Sequence, residues 1–438
     1  MQDAKKELGF SVFQVGNTSE VGKLSSTTPD LNNWLSAVMS YQQTCIDGFP
    51  KGKLKDGMEK ALKAVKEFTS NSLAIVSEVA LLLSTFQETG HSRHLLAPSL
   101  DKDGYPTWMA HDDRRMLIEA QIQNPKPNVV VAKDGSGNYN TISGALAAMP
   151  ANYPGRYVIY VKAGVYDETV TVTKVKVTMY GDGSQNTIIT GSKNFVDGSR
   201  TFESATFVAL GDGFLAQSMG FRNTAGPEKD QAVAVRVQGD GAIFVNCRFE
   251  GYQDTLYAQT HRQFYRSCEV VGTIDFIFGD ASAVFQECSI VVRKPLDNQQ
   301  NVVTAHGRID KRETTGIVLQ NCRISADNQL VPVKSRIRSY LGRPWKEYAR
   351  TVVMESTIDD FIHPDGWLAW QGNFALSTLF FAEFNNKGPG ANVAARVKWP
   401  GHKIINQQEA LEYTVGPFLQ GDWITATGVP VHFGLYGN

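Results

Sequence analysis

The sequence predicts an all-β chain, a parallel β-helix, preceded by a small partial α-helical bundle. Three observations carry this. Residues 242–261, AIFVNCRFEGYQDTLYAQTH, align on their cysteine with residues 262–279, RQFYRSCEVVGTIDFIFG. Phe244 then falls over Tyr265, Cys247 over Cys268 and Asp254 over Asp275, and a third copy supplies Phe285 and Cys288. Repeats of about 20 residues, rich in β-branched and aromatic side chains, are the mark of a strand solenoid. The second observation is the run of short β-branched segments punctuated by glycine from Asn128 to about Ala375. The third is apolar spacing of helical period confined to residues 1–90.

Taken in order, Asp30 is a good N-cap for a first helix carrying Leu31, Trp34, Leu35, Val38 and Cys45. Gly48-Phe49-Pro50 stops it. A second helix is expected through Met58, Leu62, Val65 and Phe68, and a third from about Asn71 to Phe86. Residues 91–127 hold Pro98, Pro106, Pro125 and Pro127 among scattered charges and read as a linker. From residue 128 the strands begin. A short helix at 141–149 is placed to cap the open end of the solenoid, whose first coil otherwise exposes unpaired edge groups. Residues 373–385 and 407–413 read as partly helical, and residues 417–438 as an irregular, aromatic tail lying along the coils.

Composition excludes several classes. The chain has 438 residues, 43 Lys+Arg and 44 Asp+Glu, and a net charge of −1, which gives nucleic acid nothing to bind. No segment reaches the roughly 20 apolar residues of a membrane span. The start, Met1-Gln2-Asp3, does not read as a signal peptide, so the chain is either cytosolic or begins downstream of its natural start. The eight histidines are scattered and no Cys/His spacing resembles a metal site. Five cysteines are present, of which Cys247, Cys268, Cys288 and Cys322 share one repeat position. Such residues can stack inside the coil as small apolar groups. The 39 glycines fit tight turns between strands.

The repeat also carries chemistry. Asp254 and Asp275 each follow their cysteine by the same interval, so they fall on adjacent rungs about 4.8 Å apart. Two carboxyls that close cannot easily both ionise. One then remains an acid while the other is an anion, which equips the pair for proton transfer or carboxylate attack. Aspartates in solvated turns can align by chance, but these two sit in apolar, aromatic runs, YQDTLY and IDFIF.

GYQDTLY and DFIFG resemble signature segments of the plant pectin methylesterases, or pectinesterases. GVYDE at 164–168, QAVAV at 231–235 and LGRPW at 341–345 match the same family in the same order. The resemblance covers residues 128–438 and implies a right-handed parallel β-helix that hydrolyses galacturonosyl methyl esters in pectin, without a cofactor or metal. It implies Asp275 as nucleophile, Asp254 as acid and base, and Gln231 and Gln253 as donors to the oxyanion. Arg343 holds the nucleophilic carboxylate. Phe202, Tyr257, Phe278, Trp345 and Trp370 are implied substrate contacts. A Cys288–Cys322 disulfide is implied for a secreted member. The compartment implied is the plant cell wall, and the expected state is a monomer acting on homogalacturonan and open to a proteinaceous inhibitor.

The N-terminal part, through WLSAVMSYQQTCIDGF, resembles the inhibitor-like pro-domain found ahead of many such enzymes. In that family the domain is a four-helix bundle with paired cysteines, whereas Cys45 here has no second cysteine before residue 247. A helical appendage is the alternative. Arg114-Arg115 resembles the family's processing site. Two further departures are His306, where the family commonly has Gln, and Arg200, where a small polar residue is usual. Arg200 faces the expected cleft, where it would favour acidic stretches of pectin. Rival functions on the same fold are a pectin lyase or glycosidase, which needs calcium-binding acidic clusters or carboxylates flanking a glycosidic bond, and a non-catalytic pectin-binding module.

Overall fold

The computed structural model describes residues 21–88 and 125–437. From residue 129 onward the strands are parallel and form three sheets of 11, 7 and 8 strands. The central coils give one strand to each sheet, as in Arg262–Arg266, Glu269–Gly272 and Ile277–Gly279. The register is the one the repeat requires. Phe244 pairs with Tyr265, and Tyr265 with Phe285. Their rings stack at 5.3 and 4.2 Å, nearly parallel. Phe207, Phe221 and Phe249 extend this buried aromatic column through the solenoid.

The corner beside the cysteines departs from the glycine expectation. Asn246, Ser267, Glu287, Asn321 and Glu355 occupy it on successive coils, each with φ between 51° and 54°. One residue in the left-handed region turns the chain there, at a conformational cost glycine would avoid but that stacking of the coils overrides. The four cysteines behind these residues are buried free thiols. Cys288 and Cys322 donate to backbone carbonyls instead of joining each other, so the implied disulfide is not formed in this structure.

Helix α1 spans Val21–Asp47 and α2 spans Lys53–Glu88. The stop at Gly48 is where it was expected, but two boundaries differ. α1 begins well before Asp30 and runs through Pro29, and the Asp30 carboxylate pairs with Arg262 at 2.9 Å instead of capping. The expected second and third helices are one. Thr69 and Ser72 hydroxyls donate to the Val65 and Phe68 carbonyls within the helix, so the polar stretch at 69–72 breaks nothing. Leu62 and Leu73, three turns apart, are both buried.

Helix α3, Ile142–Ala147, covers the first coil as expected, with Thr141 as N-cap. Glu168, from GVYDE, accepts the backbone N–H groups of Ile142 and Ser143 at 2.8 and 3.0 Å, which suits a carboxylate at a helix N-terminus. Residues 373–385 are turns leading into a strand, Phe380–Phe384, not a helix. Pairing with Arg350–Met354 decides the matter. Gln407–Leu411 is helical as expected. The tail contains two further short helices, Val415–Leu419 and Asp422–Thr425. It then runs along the coils, where Gln286 and Gln320 donate to the His432 and Gly434 carbonyls. Residues 89–124, with Arg114-Arg115, lie outside the described residues.

Candidate active site

A cleft of about 1010 Å³ holds the aligned aspartates together with the amides, Arg343 and the aromatic residues expected around them. Leu256 pairs with Ile277 just beyond the two carboxylates, which puts Asp254 and Asp275 at one place on successive coils. Both have left-handed backbones, with φ of 63° and 51°. Asp tolerates that region better than most residues, and such strain concentrates at working sites. Beneath them Thr255 is buried and its hydroxyl donates to the Val271 carbonyl at 3.0 Å. Gly279, closing DFIFG, has φ 126°, and a Cβ there would overlap the Ala258 carbonyl.

The two carboxylates have different neighbours. Arg343 clamps Asp275 with both arms, Nε to Oδ1 at 2.8 Å and Nη2 to Oδ2 at 2.6 Å. Both aspartates are buried, 7% and 5% exposed. Burial raises the Asp275 pKa above the ordinary carboxylate value, and Arg343 opposes that rise. For Asp254, burial and then the charge of Asp275 push it well above, with Arg343 a weaker counterweight. The protonated form is thus favoured more strongly at Asp254 than at Asp275, whose carboxylate Arg343 holds.

Gln231 and Gln253 line the same cleft. Gln231 Oε1 is buried without a hydrogen-bond partner. Its backbone carbonyl accepts from Phe195, and that of Gln253 from Ala232, which ties the two glutamine segments to the coils on either side. Tyr257 and Phe278 stack at 4.3 Å, with Trp345 edge-on to both. Trp370 lies over the Arg343 guanidinium at 4.3 Å, and Phe202 under Arg236 at 5.7 Å. Arg200 is exposed and lines the cleft. His306 does not: it is buried, and its Nδ1 accepts backbone N–H bonds from Arg308 and Arg350. Among the described residues no group of His, Cys, Asp and Glu is arranged to hold a metal ion. A second cavity, of about 690 Å³, contains neither aspartate.

The family model described as Pectinesterase matches residues 128–422, and the one described as Plant invertase/pectin methylesterase inhibitor matches residues 1–75. The chain belongs to the pectinesterase family. A relative from Arabidopsis thaliana, "Probable pectinesterase/pectinesterase inhibitor 13", is 58% identical over the whole of this chain and 70% of its own length. Among solved structures, the pectin methylesterase from carrot is 51% identical, with TM-score 0.71, covering 72% of this chain and all of its own. A pectin methylesterase in complex with a hexasaccharide is 30% identical, with TM-score 0.59, over 68% of this chain and 98% of its own.

In this pectinesterase the cleft has a wall that its motifs did not announce. Thr44, Asp47, Gly48, Phe49 and Pro50, from the end of α1 and the turn after it, line it. The Asp47 carboxylate meets Lys346 Nζ at 2.8 Å, and the Thr44 hydroxyl is 3.4 Å from that of Tyr257. The helices are held elsewhere by Ser40 donating to the Gln259 carbonyl and by Arg312 donating to Ser70. No local pattern could have revealed Asp47 or Lys346, because their partnership spans 299 residues.

Proposed function

We propose that this pectinesterase demethylates galacturonosyl units of pectin through an aspartyl intermediate, and that its helical pair closes the cleft until displaced. The observation that carries the mechanism is the asymmetry of the pair: one buried carboxylate clamped by Arg343, one left to hold the proton.

Asp275 attacks the C6 carbonyl carbon of the ester. The tetrahedral oxyanion receives amide N–H groups from Gln231 and Gln253. As the C–O bond to the methoxy group breaks, Asp254 passes its proton to that oxygen and methanol leaves. Asp275 is now joined to the substrate as an anhydride. Water enters, Asp254 takes its proton, and the hydroxide adds to the substrate carbonyl. Asp275 departs as a carboxylate, and galacturonate remains. One ester and one water become one acid and one methanol. Trp345, Trp370 and the Tyr257–Phe278 stack offer apolar faces to sugar rings. Pectin of the plant cell wall is the substrate this reading requires.

The test is methanol release from highly methylated pectin by a chain beginning at Pro125. The carrot chain, matched over its whole length by 72% of this chain, supports that part folding on its own. Asp275→Asn should abolish release while the protein keeps its native unfolding transition. Release at the wild-type rate from folded Asp275→Asn would overturn the aspartyl mechanism.

A further inference from the structure

The cavity of about 690 Å³ is bounded by α1, α2, the coils and the C-terminal tail, and among the described residues it shares no lining residue with the catalytic cleft. Two arginines of the coils, Arg308 and Arg350, line it. Their backbone N–H groups both donate to His306 Nδ1, which brings them side by side. Among the described residues the Arg350 side chain has no hydrogen bond or ion pair, and its Nε is buried without a partner. Arg308 is 5% exposed; its Nη2 donates to the Lys311 carbonyl, and its Nε is buried and unpartnered. Burial, and then the Arg308 charge, push the Arg350 pKa down to about 9. The nearby acids are engaged elsewhere. Glu313 accepts the backbone N–H groups of Ile309 and Asp310 at 3.1 and 2.7 Å, and Asp280 accepts the Thr315 hydroxyl at 2.7 Å. Among the described residues neither forms an ion pair with Arg308 or Arg350, though both act on them from further away. Burial raises Asp280 to about 6, and burial and then Asp280 raise Glu313 well above its ordinary value, so ionising both at once is disfavoured. Of the other cations on the cavity wall, Arg262 pairs with Asp240 and Asp30, and Arg312 donates to Ser70. Glu78 and Glu412 also line the cavity, but both are exposed to water. From α1 comes Asn33, 5% exposed, with its Nδ2 buried and unpartnered.

We propose that this cavity is a binding site for a small multiply charged oxyanion, a phosphate or a polycarboxylate, held by Arg308 and Arg350 with Asn33 donating from the helical pair. Guanidinium forks match the geometry of carboxylate and phosphate. An anion there gives partners to buried charged donors that otherwise lack them. The cavity is larger than one phosphate needs, which leaves room for the carbon body of an organic acid. Because the ligand touches α1 and the coils at once, its binding also braces the helices in their seat. The site stands apart from the esterase reading, since neither arginine lines the cleft of Asp254 and Asp275.

The experiment titrates the full chain with inorganic phosphate and, separately, with citrate, by calorimetry at fixed ionic strength. Wild type should bind a single equivalent, and the tighter of the two probes tells an inorganic source from an organic one. Arg350→Gln should weaken that binding at least about tenfold, because a charged hydrogen-bond partner is lost, and Asn33→Ala about threefold. Lys311→Gln, on the exposed rim of the cavity, should change it less than about twofold. Saturable binding of neither probe by wild type would overturn the site. So would equal losses from Arg350→Gln and Lys311→Gln, since diffuse positive potential would then account for the binding. A second readout needs no variant and so holds even if Arg350→Gln fails to fold. Selenate diffused into wild-type crystals should give an anomalous peak between Arg308 and Arg350, and peaks confined to the outer surface would overturn the proposal. At saturation the ligand should slow protease cutting of α2 at least about threefold, and unchanged cutting would refute the part given to α1.

Discussion

Asp254 binds its proton more tightly in the folded chain than in the unfolded one, because burial and the Asp275 charge oppose its ionisation. Protons are then taken up on folding, so stability falls as pH rises from the unfolded carboxylate value, about 4, through the folded one. Asp254→Asn is neutral at every pH and removes that loss. Its melting temperature should match wild type near pH 4 and exceed it at pH 7; no gain at neutral pH would show that Asp254 ionises there as freely as an exposed carboxyl. The same substitution should sharply reduce methanol release, since Asn has no proton to give. Gln231→Ala should lower kcat by about 10²–10³-fold with little change in stability, the loss typical of one oxyanion donor, and a variant retaining full kcat would remove Gln231 from the chemistry. Asp254 and Asp275 were legible in the sequence because the repeat fixes register, whereas Gln231 was expected only from the family resemblance. Lys346 was not, since its meaning comes from a helix at the other end of the chain.

At the scale of elements, the coils are held in register by stacked rings. Tyr265 sits between Phe244 and Phe285, with its hydroxyl donating to Gln263 at 2.7 Å. Tyr265→Ala should cost about 3–5 kcal/mol, and Tyr265→Phe, which keeps the stack and loses one hydrogen bond, about 0.5–1.5 kcal/mol. Denaturant unfolding of the chain beginning at Pro125 would show both, and equal losses from the two variants would mean that the stack contributes nothing beyond the hydroxyl. Strand positions could be read from the repeat, whereas the start of α1 and the continuity of α2 could not. Asp30 looks like a cap, yet Arg262 claims it, and the hydroxyls at 69–72 look like a break, yet they bond within α2. Phe380–Phe384 became a strand because the preceding coil presents an edge to it. For Asp30 and for Phe380–Phe384 a distant partner outweighed local propensity.

At the scale of the molecule, a helical pair is seated against one wall of a cleft that a polymer must enter. Its footing is mixed. Leu35, Met39 and Leu73 pack with Ile309, while Ser36, Ser40 and Ser70 bond to the coils. Leu73 is fully buried. Leu73→Ala should weaken the seat by about 2–4 kcal/mol and raise methanol release from the full chain, and it should make α2 easier to cut with protease. Unchanged release and cutting would mean that Leu73 has no part in seating the helices. On the reading proposed above, these coils form a pectin methylesterase closed by its own helices. The most direct measurement compares methanol release from highly methylated pectin by the full chain and by the chain beginning at Pro125. The shorter chain should release methanol and the full one at least about tenfold less, the effect of a closure worth roughly 1.4 kcal/mol. Equal release from both would contradict the closure, and none from the folded shorter chain would contradict the esterase.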